Sequence, residues 1–208
     1  GPNDSADNVT TTLAAKQKQD LAFFRTLSYK VDALTPYWEN RTDALLSFCL
    51  KTNEHLEHPI DAFQLMAGVY LHDLGMAFIP DSIINKNQKL NPIEEKELQS
   101  HPNIAYEIIH RFDGWQEAAQ MVAQHHERLD GKGYPKQLAS DDICTGAKLI
   151  AIADTFFSIT NQRADRTYKR SLLRAITEIN AYQGTQFDGE IVSAFNDMVR
   201  TQYAKKGN

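Results

Sequence analysis

The chain has 208 residues, which is enough for one substantial domain and short for two. Its net charge is −5 and its pI is near 5.8, so the totals give no basic face for a nucleic-acid polymer, although a few local cations can still hold a small anion. No apolar run approaches the length of a membrane span, and no signal peptide is recognisable. The two cysteines, Cys49 and Cys144, are typical of free thiols in a reducing compartment, which predicts a cytoplasmic protein.

Helical periodicity runs through most of the chain. Residues 1–12 begin with Gly-Pro, as the remnant of a cleaved expression tag does, and continue as a polar stretch that we expect to be disordered. Apolar residues spaced three and four apart predict an N-terminal helix over 13–35, and residues 36–204 are predicted to form one domain. Within that domain we expect helices near 38–56, 59–75, 91–101, 104–112, 115–126, 141–161, 171–182 and 188–203. Because no alternating run or Asn-Gly hairpin interrupts them, the predicted fold is all-α.

Side chains that can bind metal stand at helix ends and inside one apolar helix. They are, in chain order, His72, Asp73, His101, His125, His126 and Asp154. A single histidine is usually an ordinary core or surface residue, but an unpaired carboxylate inside an apolar helix is costly to bury, and the joint pattern predicts metal binding. Imidazole and carboxylate ligands without thiolates favour iron or manganese over structural zinc. Two ions that share a carboxylate can activate a hydroxide for attack on a phosphoryl group.

The ordered series, together with a glycine-rich loop, resembles the HD-GYP family, a branch of the HD phosphohydrolase superfamily. The motifs that carry the resemblance are His72-Asp73-Leu74-Gly75, His101-Pro102, His125-His126-Glu127-Arg128, Asp130-Gly131, Gly133-Tyr134-Pro135 and Ala153-Asp154. The match covers Pro36 to Tyr203, so it implies an HD-superfamily helical bundle with an added C-terminal helical part and a Gly-Tyr-Pro loop.

The resemblance implies a metal-dependent phosphodiesterase that hydrolyses cyclic di-GMP, or a related cyclic dinucleotide, to linear pGpG, GMP or both. A metal-bridging hydroxide would attack phosphorus, and the implied catalytic residues are His72 and Asp73. The ligands implied for one ion are Asp73, His101, His125 and His126. The ligands implied for a second ion are His72, Asp73 and Asp154, so Asp73 would bridge the two. The loop residues Gly133, Tyr134 and Pro135 would border the substrate.

Basic residues after Asp154 would bind the phosphates of the substrate, and two alignments compete for them. Without a gap, the residues are Arg163 and Arg166. With an insertion of about one helical turn, they are Arg166 and Lys169, within a stretch similar to the family's Asp-Arg-Pro-Tyr motif. Both alignments favour Arg166.

Four positions depart from the family pattern: Pro36, Asn40, Met76 and Phe157. Relatives have a phosphate-binding Lys at Met76, a metal-binding His at Asn40, a Glu for a third ion at Pro36, and a second Asp at Phe157. Asn40 remains a candidate ligand through its amide oxygen, which is weaker than imidazole for these metals. Glu39 is a better substitute if the register shifts by one residue. The departures therefore predict two divalent ions at most.

Two other functions stay open at this point. A signalling module would bind metal, cyclic dinucleotide or a protein partner with weakened or no turnover, as the four departures favour. An HD phosphohydrolase for another nucleotide is disfavoured by the Gly-Tyr-Pro loop. The expected partner is a cyclic dinucleotide and not a nucleic-acid polymer. We also expect an N-terminal sensor or receiver domain in the full-length protein, and a homodimer is compatible with the sequence.

Overall fold

The structure is a computed structural model that describes residues 2–161 and 168–204, and the side chains of 15–161 and 170–204. The α-helices of these residues are α1 (Pro2–Asp32), α2 (Arg41–Asn53), α3 (Ala62–Leu71), α4 (Asp81–Ile84), α5 (Pro92–Leu98), α6 (His101–Ile109), α7 (Gln116–Gln124), α8 (Thr145–Thr160), α9 (Tyr168–Ala181) and α10 (Gly189–Ala204). Short 3₁₀ helices lie at Pro36–Trp38, Leu74–Phe78 and Ser140–Asp142. Within the described residues, β-structure is confined to two isolated bridges, which confirms the all-α prediction.

The first helix is longer than the sequence predicts. It begins at Pro2, whereas we expected disordered chain over 1–12 and a helix only from residue 13. The packed part of α1 lies further on, where Phe24 is fully buried against Trp115 and the Trp115 indole donates to Asp20 at 2.9 Å. Because lengthening an existing helix is far easier than starting one, the packed segment allows the polar residues before it to continue the helix.

Two apolar clusters hold the bundle together. One cluster lies under α1, where Phe24, Ile109 and Trp115 pack between α1, α3, α6 and α7. The other lies between α2, α3, α8 and α10 and includes Leu149 and Phe195. Helix α3 contributes to both clusters, so its C-terminal end is held from two sides.

The helix ends near the middle of the bundle carry the residues of the predicted site. His72 and Asp73 directly follow α3, and His101 is the first residue of α6. A Cβ atom added to Gly75 would lie 2.0 Å from the carbonyl oxygen of His101, so only glycine lets the 3₁₀ helix after Asp73 approach α6 this closely. His125 directly follows α7. Close packing at these ends therefore brings distant parts of the sequence to one point.

In the described part of the chain, no helix combines the length and apolarity that crossing a membrane requires. Cys49 is buried, Cys144 is partly buried, and both are free thiols, as expected from the sequence.

Candidate metal centre and cleft

Two groups of metal-binding side chains meet at Asp73. In each group the ligand atoms lie within 4.8 Å of one another. The first group consists of Asp73, His101, His125 and His126. The second group consists of His72, Asp73 and Asp154. These groups coincide with the two ligand sets that the family resemblance implies.

Backbone carbonyl groups orient the buried histidines. The Nδ1 atoms of His72, His101 and His125 lie 2.6, 2.7 and 2.7 Å from the carbonyl oxygens of residues 69, 98 and 122. A carbonyl oxygen can only accept, so each Nδ1 carries a proton and donates it, and each ring directs Nε2 toward Asp73. This anchoring of the remote nitrogen is typical of histidines that bind metal.

The donor atoms of the first group fit a cation. The Nε2 atoms of His101 and His125 lie 3.3 Å apart, and they lie 3.3 and 3.5 Å from Oδ1 of Asp73. In neutral rings both Nε2 atoms present lone pairs, and these face each other and a carboxylate oxygen. Such an arrangement is unfavourable without a positive charge between the atoms, so the donor set suits a divalent ion.

His125 and His126 of the first group and His72 of the second group have pKa shifts in opposite directions. Burial lowers the pKa of His125, and it lowers the pKa of His126 well below its usual range, with His125 and His101 adding to the effect at His126. At His72 burial acts in the same direction, but the carboxylates of Asp154 and Asp73 outweigh it and raise the pKa to about 10. His125 and His126 are therefore neutral ligands, whereas His72 holds a proton between acceptors in the metal-free protein.

The two carboxylates are ionised in spite of their burial. Burial alone would raise the pKa of Asp73, but His72 and Arg41 outweigh it and hold that pKa well below its usual range. The same two cations lower the pKa of Asp154 against the effect of burial. Both carboxylates thus carry full negative charge at neutral pH.

Arg41 binds both carboxylates at once, although it lies outside the motifs from which the site is predicted. Its Nη1 atom lies 2.6 Å from Oδ2 of Asp73, and its Nη2 atom lies 2.9 Å from Oδ1 of Asp154. The residue is only 8% exposed. Its guanidinium carbon lies 4.8 Å from the ring centre of Trp38 and 5.9 Å from that of Phe157. A positively charged side chain of the protein itself therefore contacts the second group of ligands.

Asn40 and Glu39 are not brought to this cluster. Both are exposed and line a separate surface depression beside Asp32 and Asp43, and Asn40 has a left-handed backbone with φ of 60°. Helix α2 begins at the next residue, Arg41, which stands four positions before the buried Leu45 and so shares its inward face. That spacing is the sequence signal by which Arg41 could have been recognised.

The Gly-Tyr-Pro loop is fastened by a buried carboxylate that the sequence analysis named only as part of a motif. Glu127 is 5% exposed. Its two carboxylate oxygens accept hydrogen bonds from the backbone amides of Lys136 at 2.7 Å and Leu138 at 3.0 Å. Glu127 directly follows the two histidines, so this contact fixes the loop relative to the ligands.

Within the loop, Tyr134 covers His126. The two rings are nearly parallel, with centres 4.7 Å apart, and the Tyr134 amide donates to the His126 carbonyl at 3.1 Å. A Cβ atom added to Gly133 would lie 2.4 Å from that same carbonyl oxygen. The glycine therefore permits the close approach that places the tyrosine ring over the histidine.

A cleft of about 640 Å³ opens onto the ligands. The side chains that line it are Tyr37, Trp38, Arg41, Asp73, Met76, Leu98, His101, His126, Tyr134, Asp154, Phe157, Ser158 and Asn161. Its wall is largely aromatic and apolar. Met76, one of the four departures from the family pattern, packs in a small apolar cluster with Trp38 next to the cleft.

The predicted substrate-binding residues are only partly placed by the structure. Tyr134 lines the cleft, Gly133 lies against the backbone of His126, and Pro135 is not among the lining residues. Arg163 and Arg166 lie outside the described residues. Lys169 lies in the first turn of α9, and its side chain is also outside the described part.

A helical bundle with a His-Asp doublet at its centre defines an HD-domain protein. The sequence profile of the HD domain family matches residues 25–191. The chain therefore belongs to the HD domain family, and its resemblance to the HD-GYP branch is confirmed.

The chain is similar to several curated phosphodiesterases. It is 35% identical over 60% of its length to a cyclic di-GMP phosphodiesterase of Thermotoga maritima, of which it covers 34%. It is 37% identical over 59% of its length to the 3'3'-cGAMP-specific phosphodiesterase 2 of Vibrio cholerae, of which it covers 24%. It is 36% identical over 60% of its length to the cyclic di-GMP phosphodiesterase response regulator RpfG of Xanthomonas campestris pv. campestris, of which it covers 33%. The chain thus spans between 24% and 34% of the length of each of these three relatives.

Solved structures confirm the fold. The cyclic GMP-AMP-specific phosphodiesterase V-cGAP3 of Vibrio cholerae aligns with a TM-score of 0.66 at 17% identity, over 88% of this chain and 49% of that one. The HD domain of the L. monocytogenes phosphodiesterase PgpH, in complex with cyclic-di-AMP, aligns with a TM-score of 0.60 at 14% identity, over 86% of this chain and 95% of that one.

Proposed function

We propose that this chain is a metal-dependent phosphodiesterase that hydrolyses cyclic di-GMP or a related cyclic dinucleotide. The observation that carries the proposal is the first ligand group, whose members are Asp73, His101, His125 and His126 and which opens onto the cleft. The names of the curated relatives support the choice of a cyclic dinucleotide as substrate. A module that binds without turnover is less well supported, because this group of donors is complete.

The first group would hold a divalent ion, because three imidazoles, two of them with Nδ1 anchored to a backbone carbonyl, and one ionised carboxylate converge on one point. A donor set without thiolates favours iron or manganese over zinc. When bound, such an ion polarises a phosphoryl oxygen and makes water a stronger nucleophile at neutral pH.

The catalytic residues that we propose are His72 and Asp73. Asp73 faces both ligand groups, and its lowered pKa keeps it ionised throughout the neutral range. His72 lies 3.2 Å from Asp73 and 3.0 Å from Asp154, so it holds the two carboxylates in place at the base of the cleft. Both residues therefore serve the reaction by fixing negative charge where a metal ion and phosphate must meet.

The cleft offers binding surfaces for nucleobases. Its volume of about 640 Å³ lies within the range of small-molecule sites. The rings of Tyr37, Trp38, Phe157 and Tyr134 line it. Stacking of a base on an aromatic side chain contributes about 1–3 kcal/mol. We assign Gly133 and Pro135 the role of holding Tyr134 in this wall.

Phosphate binding is proposed for Arg163, Arg166 and Lys169. Asn161 lines the cleft and donates to the Tyr37 carbonyl at 2.9 Å, so the chain leaves helix α8 at the rim of the cleft. Arg163 follows two residues later, within about 7 Å of backbone reach. Cations there would meet the negative phosphates of the substrate.

The cellular setting also belongs to the proposal. The proposed cyclic-dinucleotide substrate and the two free thiols favour a location of the protein in the cytoplasm. The chain is similar to a segment that makes up 33% of a response regulator. This similarity supports attachment of the chain to a sensor or receiver domain in the full-length protein. Formation of a homodimer stays a prediction.

The proposal is tested by loading the protein anaerobically with Fe(II) or Mn(II), adding cyclic di-GMP, and measuring linear pGpG and GMP by liquid chromatography. We expect product from the wild type and none from Asp73→Ala. The matched control is Asp113→Ala, which removes an exposed carboxylate in a turn and should leave the rate unchanged. Tight binding of the nucleotide without product under both metals would contradict the proposal and favour the binding module.

A further inference from the structure

The second ligand group already contains a cation that belongs to the chain. We infer that the guanidinium of Arg41 takes the place of a second metal ion, so that each chain binds one divalent ion, at the first group. The sequence predicts up to two ions. The inference rests on the proposed function because it concerns the metal centre of that phosphodiesterase.

Arg41 and a second ion would need the same oxygen atoms. The atoms of the second group that lie nearest Nε2 of His72 are Oδ2 of Asp73, at 3.2 Å, and Oδ1 of Asp154, at 3.0 Å. The guanidinium nitrogens of Arg41 contact these same two oxygens, at 2.6 and 2.9 Å. The planar fork of a guanidinium suits two acceptors at once, so both oxygens are already engaged.

The charges lead to the same conclusion. Asp73 and Asp154 supply two negative charges, and Arg41 offsets one of them permanently because a guanidinium does not lose its proton in proteins. A divalent ion added to the second group would lie beside that guanidinium in a buried place, where repulsion between like charges is weakly screened. The oxygen of Asp73 that serves the first group is Oδ1, which faces His101 and His125, so the first group is unaffected.

The surroundings of Arg41 hold it in place. Its guanidinium carbon lies over the ring of Trp38 at 4.8 Å and over the ring of Phe157 at 5.9 Å, and contacts of this kind favour the charged group. Phe157 is one of the four departures from the family pattern, and another, Met76, packs in the apolar cluster with Trp38. Two of the departures from the family pattern thus lie in the aromatic and apolar surroundings of one arginine.

The test counts ions and uses no nucleotide. Metal-free wild type is loaded anaerobically with Mn(II), free metal is removed by gel filtration, and bound manganese is measured by mass spectrometry and by electron paramagnetic resonance, which detects coupled ion pairs. We expect one uncoupled ion per chain in the wild type, two in Arg41→Gln, and one in the matched variant Arg41→Lys, which keeps the positive charge. Two ions in the wild type would overturn the inference. A folded Arg41→Gln variant that still binds one ion would also overturn it, because the loss of a ligand at Asn40 would then explain the count.

A second pair of variants keeps the inference testable if Arg41→Gln does not fold. Asp154 pairs with Arg41 and belongs only to the second group, so Asp154→Asn should retain one ion per chain. His126 belongs only to the first group, so His126→Ala should lower the affinity for the ion by at least about tenfold. Loss of the ion from Asp154→Asn, with retention in His126→Ala, would place the ion in the second group and refute the role of Arg41.

The result is separable from the test of the proposed function. One ion per chain without any product would refute the phosphodiesterase and leave the role of Arg41 intact. Two ions per chain with product would refute the role of Arg41 and leave the phosphodiesterase intact.

Discussion

Glu127 offers the sharpest test of how the loop is held over the ligands. Its buried carboxylate accepts two backbone hydrogen bonds, from Lys136 at 2.7 Å and Leu138 at 3.0 Å. Hydrogen bonds to a charged group each contribute about 1.5–3 kcal/mol. Since residue 136 is exposed, water can replace part of what Glu127→Ala removes. We therefore expect the free energy of unfolding to fall by about 3–4 kcal/mol, the lower part of the summed range of about 3–6 kcal/mol.

The assay is urea denaturation of the metal-free protein, followed by circular dichroism. The matched control is Glu107→Ala, which removes an exposed carboxylate from α6 and should change the free energy of unfolding by no more than about 0.5 kcal/mol. Glu127→Gln keeps one acceptor oxygen and should lie between the two. If Glu127→Ala falls within the range of the Glu107 control, the carboxylate does not hold the loop and the reasoning is wrong.

Two further predictions concern His72 and Gly133. The folded protein raises the pKa of His72 from 6.5 to about 10, so its contribution to stability is fully present below pH 6.5 and is lost as the pH rises through about 10. The free energy of unfolding of the metal-free protein should therefore fall over that interval, and His72→Gln should flatten the dependence; equal slopes for the two proteins would contradict this. For Gly133→Ala, a Cβ atom 2.4 Å from the His126 carbonyl oxygen should cost about 2 kcal/mol or more, measured by thermal unfolding. Gly184→Ala, with φ of 87° and open space around the new atom, should cost only about 1 kcal/mol, and equal losses would exclude a clash at Gly133.

Much of the site could be predicted because its ligands lie in short motifs at helix ends. The His-Asp doublet and the double histidine each occupy consecutive positions, so fixing one helix end fixes both ligands. The presence of the main helices could also be predicted, from the spacing of their apolar residues. The start of α1 could not be predicted, since the polar composition of its first turns says little about a helix that is stabilised further along.

Arg41 shows where reasoning from sequence alone ends. The departure at Asn40 drew attention to that position and to Glu39, but the ligand group is approached from the following residue. The entry into α2 depends on a 3₁₀ turn at Pro36–Trp38 and on the left-handed backbone of Asn40, and neither follows from the motifs, so the four-residue spacing from Arg41 to Leu45 is the sequence signal that remains. The role of Glu127 was hidden for a related reason, because its partners are backbone amides that have no sequence signature.

We propose that a single metal ion at Asp73, His101, His125 and His126 supports hydrolysis of a cyclic dinucleotide. The most direct measurement is the rate of pGpG formation from cyclic di-GMP as the metal-free protein is titrated anaerobically with Mn(II). We expect no product without metal and a rate that rises in proportion to added metal until one equivalent per chain is bound and then stays level. A rate that stays at zero at every metal concentration, or that begins to rise only after the first equivalent is bound, would contradict it.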